Sequence, residues 1–109
     1  MKIIAVSQRV QKIDKYNEFR DQIDNRLNFF LIKAGYLPVP IPNFKNGNNS
    51  DQSSLIKWLK KIKPSGIILS GGDDIGVYKF RDKNEMRIIK WSLLKKIPVL
   101  GICRGMQML

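Results

Sequence analysis

Gly66-Ile67-Ile68-Leu69-Ser70-Gly71-Gly72-Asp73 runs a short apolar segment directly into paired glycines. Pro98-Val99-Leu100-Gly101-Ile102-Cys103-Arg104-Gly105 repeats that change of texture further on. A few β-branched and aliphatic residues ending in glycine read as a buried strand entering a tight turn. Between the two, Met86, Ile89 and Leu93 recur at helical spacing. Asp82, with Glu85 three residues on, resembles a capping box that opens this helix. Strand, glycine loop, helix, strand is the grammar of a parallel α/β sheet.

The same alternation extends toward the N-terminus. Leu55, Leu59 and Ile62 mark another helix, started by Asp51 or a neighbouring Ser and ended at the turn Pro64-Ser65-Gly66. Residues 43–49 are polar and read as a loop. Residues 37–41, with Pro38, Pro40 and Pro42, read as an extended segment that is short or lies at an edge. Ile23, Leu27, Phe30, Leu31 and Ala34 share one helical face, and Gly35 stands where a left-handed C-terminal cap belongs. Lys2 to Val6 reads as the first buried strand, with Ser7-Gln8-Arg9 at its carboxyl end, and Tyr16, Glu18, Arg20 and Asp21 as part of a long loop before the first helix.

Strands separated by helices imply parallel pairing through right-handed crossovers. The expected fold is therefore α/β, a doubly wound, mostly parallel sheet in a flavodoxin-like three-layer sandwich. Its sites should lie at the carboxyl ends of the strands. The 109 residues suffice for one domain at most. The helix after Cys103 has barely begun at Leu109, so residues 1–109 are expected to be the N-terminal half of a single domain, truncated after the elbow. Such a piece on its own should be aggregation-prone.

Composition removes several chemistries. There are 20 Lys and Arg against 9 Asp and Glu, a net charge of +11, with no histidine and one cysteine. No Ser-His-Asp triad, Cys-His dyad, histidine-ligated metal or intrachain disulfide can be built from these residues alone. The positive charge invites a nucleic-acid partner, but the basic residues are scattered from Lys2 to Arg104. The densest group, Lys57, Lys60, Lys61 and Lys63, reads as the wet side of one helix. Neither nucleic acid nor membrane is an expected partner. No apolar run approaches the roughly 18 residues of a membrane span, and a cytoplasmic location is expected.

Gly101-Ile102-Cys103-Arg104-Gly105 has the form of a nucleophile elbow. A side chain on a sharp strand-to-helix turn is held exposed, and the positive end of the new helix favours the thiolate. The backbone N–H of Arg104 would face the oxyanion of a tetrahedral intermediate. Gly71 and Gly72, at a strand's carboxyl end, let bare backbone N–H groups approach a ligand. They fit neither a dinucleotide fingerprint nor a P-loop, and adjacent Asp73 and Asp74 usually point apart, so no metal and no cofactor are expected.

Together, Ser70-Gly71-Gly72-Asp73, Arg81-Asp82 with Glu85, and Pro98 to Gln107 resemble the class I glutamine amidotransferase-like superfamily, most closely its γ-glutamyl hydrolase branch. The resemblance implies that Cys103 attacks the γ-carbonyl of glutamine or another γ-glutamyl amide. It implies an oxyanion hole from the N–H groups of Gly72 and Arg104, with Gly71 and Gln107 beside the substrate. The product is a γ-glutamyl thioester that water cleaves to glutamate, after ammonia or an amine has left, in some members toward an acceptor. Arg9, Tyr16 and Arg20 are candidate contacts for the variable part of the substrate. The family completes its site with a histidine and a glutamate after the elbow, and this sequence holds no histidine. The 109 residues alone are therefore expected to be inactive. A non-catalytic flavodoxin-like module, or a broken gene copy, is the alternative. The acceptor amine and assembly into a homo-oligomer stay open.

Overall fold

The structure is a computed structural model that describes every residue except Asn48, Asp74, Cys103, Arg104, Met106, Gln107 and Leu109. In chain order the elements are β1 (Lys2–Val6), β2 (Arg9–Ile13), β3 (Glu18–Gln22), α1 (Asn25–Lys33), β4 (Tyr36–Pro40), β5 (Lys45–Asn46), β6 (Asn49–Ser50), α2 (Gln52–Ile62), β7 (Gly66–Leu69), α3 (Lys79–Lys95) and β8 (Val99–Gly101). The main sheet has the order β4-β1-β7-β8. All its pairings are parallel, with Ala5 opposite both Val39 and Ile67, and Leu69 opposite Gly101.

Alternation along the strands sorts their side chains into two cores. Ala5, Ile67 and Leu69 join Leu55 and Leu59 of α2 and Ile88 and Trp91 of α3 in one cluster. Val6 and Ile68 join Leu31, with Ile4, Ile23 and Leu27 packed against them, in the cluster beneath α1. Helices thus cover both faces, which is the three-layer α/β arrangement. Pro38 and Pro40 suit β4 to the edge of the sheet that it occupies, where a missing N–H costs no ladder bond. Asp51 caps α2 by accepting from the Ser54 N–H at 3.0 Å and from the Ser54 hydroxyl at 2.8 Å. Those two bonds hold its carboxyl below the ordinary value.

Several local expectations are corrected. Residues 9–22, with Tyr16 and Arg20, form an antiparallel β2–β3 hairpin rather than a long loop, with Val10 opposite Asp21. Asn17 closes its 3₁₀ turn at a φ of 50°, a conformation asparagine tolerates better than most residues. Residues 43–49 are not wholly loop, because β5 and β6 pair across Gly47. Phe30 is 67% exposed, leaving Ile23, Leu27 and Leu31 as the inward stripe of the first helical segment.

The largest correction concerns α3. It begins at Lys79, and its N-cap, Tyr78, makes no side-chain capping bond. Asp82 lies inside the first turn, where its carboxylate accepts from the Gly76 N–H at 2.8 Å, so it is not the residue that opens the helix. Met86 and Leu93 are 50% and 73% exposed, while Phe80, Arg81, Asn84, Glu85, Ile88, Trp91 and Ser92 are buried. The helix turns a partly polar face inward.

Candidate functional site

Chain order steps from β1 to β4 on one side and then to β7 and β8 on the other. The strand order therefore reverses between β1 and β7, and a doubly wound fold opens its binding crevice at the carboxyl ends of such strands. Two buried serines join the strand ends there. The Ser70 N–H donates to the Ser7 hydroxyl at 2.9 Å, and the Ser70 hydroxyl donates to the Ser7 carbonyl at 2.7 Å. Beyond them lies a cleft of about 400 Å³ lined by Arg9, Gln22, Ile23, Asp24, Arg26, Leu27, Ser70, Gly71, Gly72 and Ile102. Arg9, Gly71 and Gly72 thus come together, although they come from segments more than sixty residues apart.

The hairpin is fastened to this rim at several points. The Val10 N–H donates to Asp73 Oδ2 at 2.9 Å. Asn43 Nδ2 bridges the Gln8 carbonyl at 3.0 Å and Asp21 Oδ1 at 2.9 Å. On the other side of the hairpin, Phe19 packs edge-on against Tyr78 and Phe80, with ring centroids 6.2 and 5.6 Å apart. Tyr16 and Arg20 ride on this hairpin and are not brought to the cleft. Tyr16 sits exposed in the turn, and Arg20 pairs with Glu18 at 2.7 Å.

Gly72 has a φ of +118°, and a Cβ there would lie 2.5 Å from the Arg9 Cβ. Both the backbone conformation and the close approach of the hairpin require glycine. On the cleft's outer wall Asp24 caps α1 and pairs with Arg26 at 2.7 Å. Hydrogen bonds from the Arg26 side chain and backbone lower the Asp24 carboxyl from 3.8 to about 2. With its pKa depressed, this contact is complete above the ordinary value of 3.8 and is lost as pH falls through about 2. An NMR titration of the Asp24 side chain should show a midpoint near 2; a midpoint near 3.8 would mean that the Arg26 pair does not form in solution.

At the far side of the cleft, the Ile102 N–H donates to the Leu69 carbonyl at 2.9 Å and the Gly105 N–H to the Ile102 carbonyl at 3.0 Å. The segment after β8 therefore starts against the end of β7, next to the glycine loop. Cys103, Arg104 and Gln107, the residues expected to carry the chemistry, lie outside the described residues. Arg81, Asp73 and Glu85 form a buried network behind the loop that the spacing alone did not reveal. Among the described residues no cluster of three metal-ligating side chains occurs, and no helix is long and apolar enough to cross a membrane.

Residues 13–109 match the family model for glutamine amidotransferase class-I. The chain is 34% identical over 116 residues to the γ-glutamyl-CDP-amidate hydrolase of Campylobacter jejuni, a match that covers 97% of this chain and 52% of the relative. It is 35% identical over 94 residues to a glutamine amidotransferase-like protein of Rickettsia prowazekii, covering 72% of this chain and 30% of that one. A 51-residue stretch is 49% identical to the GMP synthase of Bacillus subtilis, 47% of this chain and 9% of the synthase. The chain spans about half the length of the Campylobacter relative and less of the others. The strand-and-glycine motifs, the parallel sheet they build and these matches agree that the chain belongs to the class I glutamine amidotransferase family.

Proposed function

We propose that the complete protein cleaves a γ-glutamyl amide bond by covalent catalysis at Cys103. The observation that carries this reading is the cleft at the β1–β7 switch point, where the backbone of Gly71 and Gly72 meets Ile102, the residue preceding the only cysteine. The Cys103 thiolate attacks the γ-carbonyl carbon, and the carbonyl oxygen becomes an oxyanion held by the N–H groups of Gly72 and Arg104. The oxyanion collapses to a carbonyl as the carbon–nitrogen bond breaks, the leaving amine takes the proton that the thiol gave up, and a γ-glutamyl thioester remains. Water then releases glutamate and restores the thiol. Gln107 and Gly71 border the glutamyl part of the substrate. The 109 residues contain no histidine, so on their own they lack the usual base and should release no glutamate.

Relatives include both a γ-glutamyl-CDP-amidate hydrolase and glutamine-hydrolysing synthases, which makes γ-glutamyl-CDP-amidate and glutamine the two substrates to test. Arg9 on the cleft wall favours a leaving group that carries phosphate, since guanidinium binds phosphate oxygens in a fork. Glutamate release from each substrate tests the assignment. Consumption of either supports it, and consumption of neither leaves the non-catalytic module as the better reading. Arg9→Ala should raise KM for γ-glutamyl-CDP-amidate about tenfold, the loss of one charge-assisted contact, and leave KM for glutamine unchanged. An unchanged KM for γ-glutamyl-CDP-amidate, or the same rise for both substrates, would remove Arg9 from the leaving-group site.

A further inference from the structure

Arg81 is fully buried, yet every nitrogen of its guanidinium is engaged. Nε donates to Glu85 Oε1 at 3.0 Å and Nη1 to Asp73 Oδ2 at 2.9 Å. Nη2 donates to two main-chain carbonyls of the glycine loop, those of Ser70 and Gly71, each at 3.2 Å. Buried ion pairs are weak devices for stability, because apolar side chains of similar volume often serve as well. What an apolar side chain could not do is hold those two carbonyls.

We propose that Arg81 is a positioning residue that turns the N–H groups of the glycine loop into the cleft; this rests on the reading of Gly72 as an oxyanion donor. A trans peptide is planar, with its C=O and N–H pointing in opposite directions, and the described chain has no cis peptide. Fixing the Gly71 carbonyl on the guanidinium therefore sends the Gly72 N–H the other way. Fixing the Ser70 carbonyl does the same for the Gly71 N–H. Among the described residues none accepts a hydrogen bond from either N–H, which leaves both available there to a ligand.

The loop needs such a pin. Glycine pairs have the lowest resistance to a peptide flip, and a flip of the 71–72 peptide would place a carbonyl oxygen where the oxyanion forms. Asp73 extends the pin to the hairpin, because the same Oδ2 that meets Arg81 accepts the Val10 N–H. Arg81 touches no substrate and acts only through the loop. Lysine keeps the charge but not the planar fork.

In the complete protein, Arg81→Lys should lower kcat for γ-glutamyl amide cleavage about 100-fold, the usual effect of losing one oxyanion donor. KM should stay within about threefold, as for an interaction made only in the transition state. Alkylation of Cys103 by iodoacetamide, which forms no oxyanion, should keep its wild-type rate. An unchanged kcat would overturn the proposal, as would kcat and alkylation falling together with the folded fraction. Should Arg81→Lys not fold, Asp73→Asn retains both carbonyl bonds while weakening the Nη1 anchor, and a smaller kcat loss at constant KM is expected; a kcat equal to wild type would overturn the proposal. Glycine-selective ¹⁵N labelling gives a readout independent of turnover. The Gly72 amide resonance should shift and exchange faster with solvent in the variant that folds, and an unmoved resonance would contradict the role of Arg81. If the wild-type protein cleaves no γ-glutamyl amide, the proposed function fails while the amide resonance still decides the role of Arg81.

Discussion

Cys103→Ala in the complete protein should lower kcat for γ-glutamyl amide cleavage by about 10⁴-fold or more, the scale seen when a covalent nucleophile is removed. The sequence offers one cysteine and no histidine, so no other thiol or imidazole among the 109 residues can take over. The cleft residues Arg9, Gly71, Gly72 and Ile102 are untouched by the change. Substrate affinity measured by calorimetry should therefore stay within about threefold, because the truncated sulfur contributes to the transition state and little to ground-state binding. Glutamate release at more than a few per cent of the wild-type rate would place the nucleophile elsewhere.

The second large effect is expected at Gly105. A Cβ built there would run into the Leu69 carbonyl oxygen and lie 2.6 Å from the Leu69 Cβ and 2.7 Å from its carbonyl carbon. Two of those three atoms are backbone, and Leu69 is the fully buried last residue of β7, paired with Gly101. Nothing nearby can move aside without dragging the sheet or displacing the segment that follows β8. Gly105→Ala should cost about 3 kcal/mol, the upper end of ordinary overpacking, read from urea unfolding of the complete protein. An unchanged unfolding midpoint would mean that the close approach of residue 105 to β7 does not exist in solution.

The parallel framework was legible in the sequence because each strand and most helices carry their own period. Lys2 to Val6, Gly66 to Leu69 and the Leu55-Leu59 stripe all fold as their spacing implies. Two features were not legible, for different reasons. The β2–β3 hairpin has one buried apolar residue, Val10, and no Asn-Gly or Asp-Gly turn, so no alternation announces it. It is held instead by contacts from distant positions, the Asp73 carboxylate and the Asn43 side chain. The inward face of α3 was masked by polarity. Arg81, Glu85 and Ser92 are buried with partners for their polar atoms, as when the Ser92 hydroxyl donates to the Ile88 carbonyl at 2.7 Å, and Asn84 is anchored through its Nδ2, which donates to the Phe44 carbonyl at 2.8 Å. A hydrophobicity pattern ranks such residues as outward-facing. For the candidate site, Gly71, Gly72 and Arg9 could be placed on one rim from strand order alone. The displacement of Tyr16 and Arg20 from that rim follows from the hairpin and could not be read before it.

The most direct measurement is chemical trapping of the thioester. The complete protein is mixed with glutamine or γ-glutamyl-CDP-amidate carrying an isotopic label in the glutamyl group, quenched in acid within the first turnovers and digested. The label is expected on the peptide that contains Cys103, and hydroxylamine should release it, as thioesters require. Glutamate formed with no label on that peptide at any quench time, or a label on a different residue, would contradict covalent catalysis at Cys103.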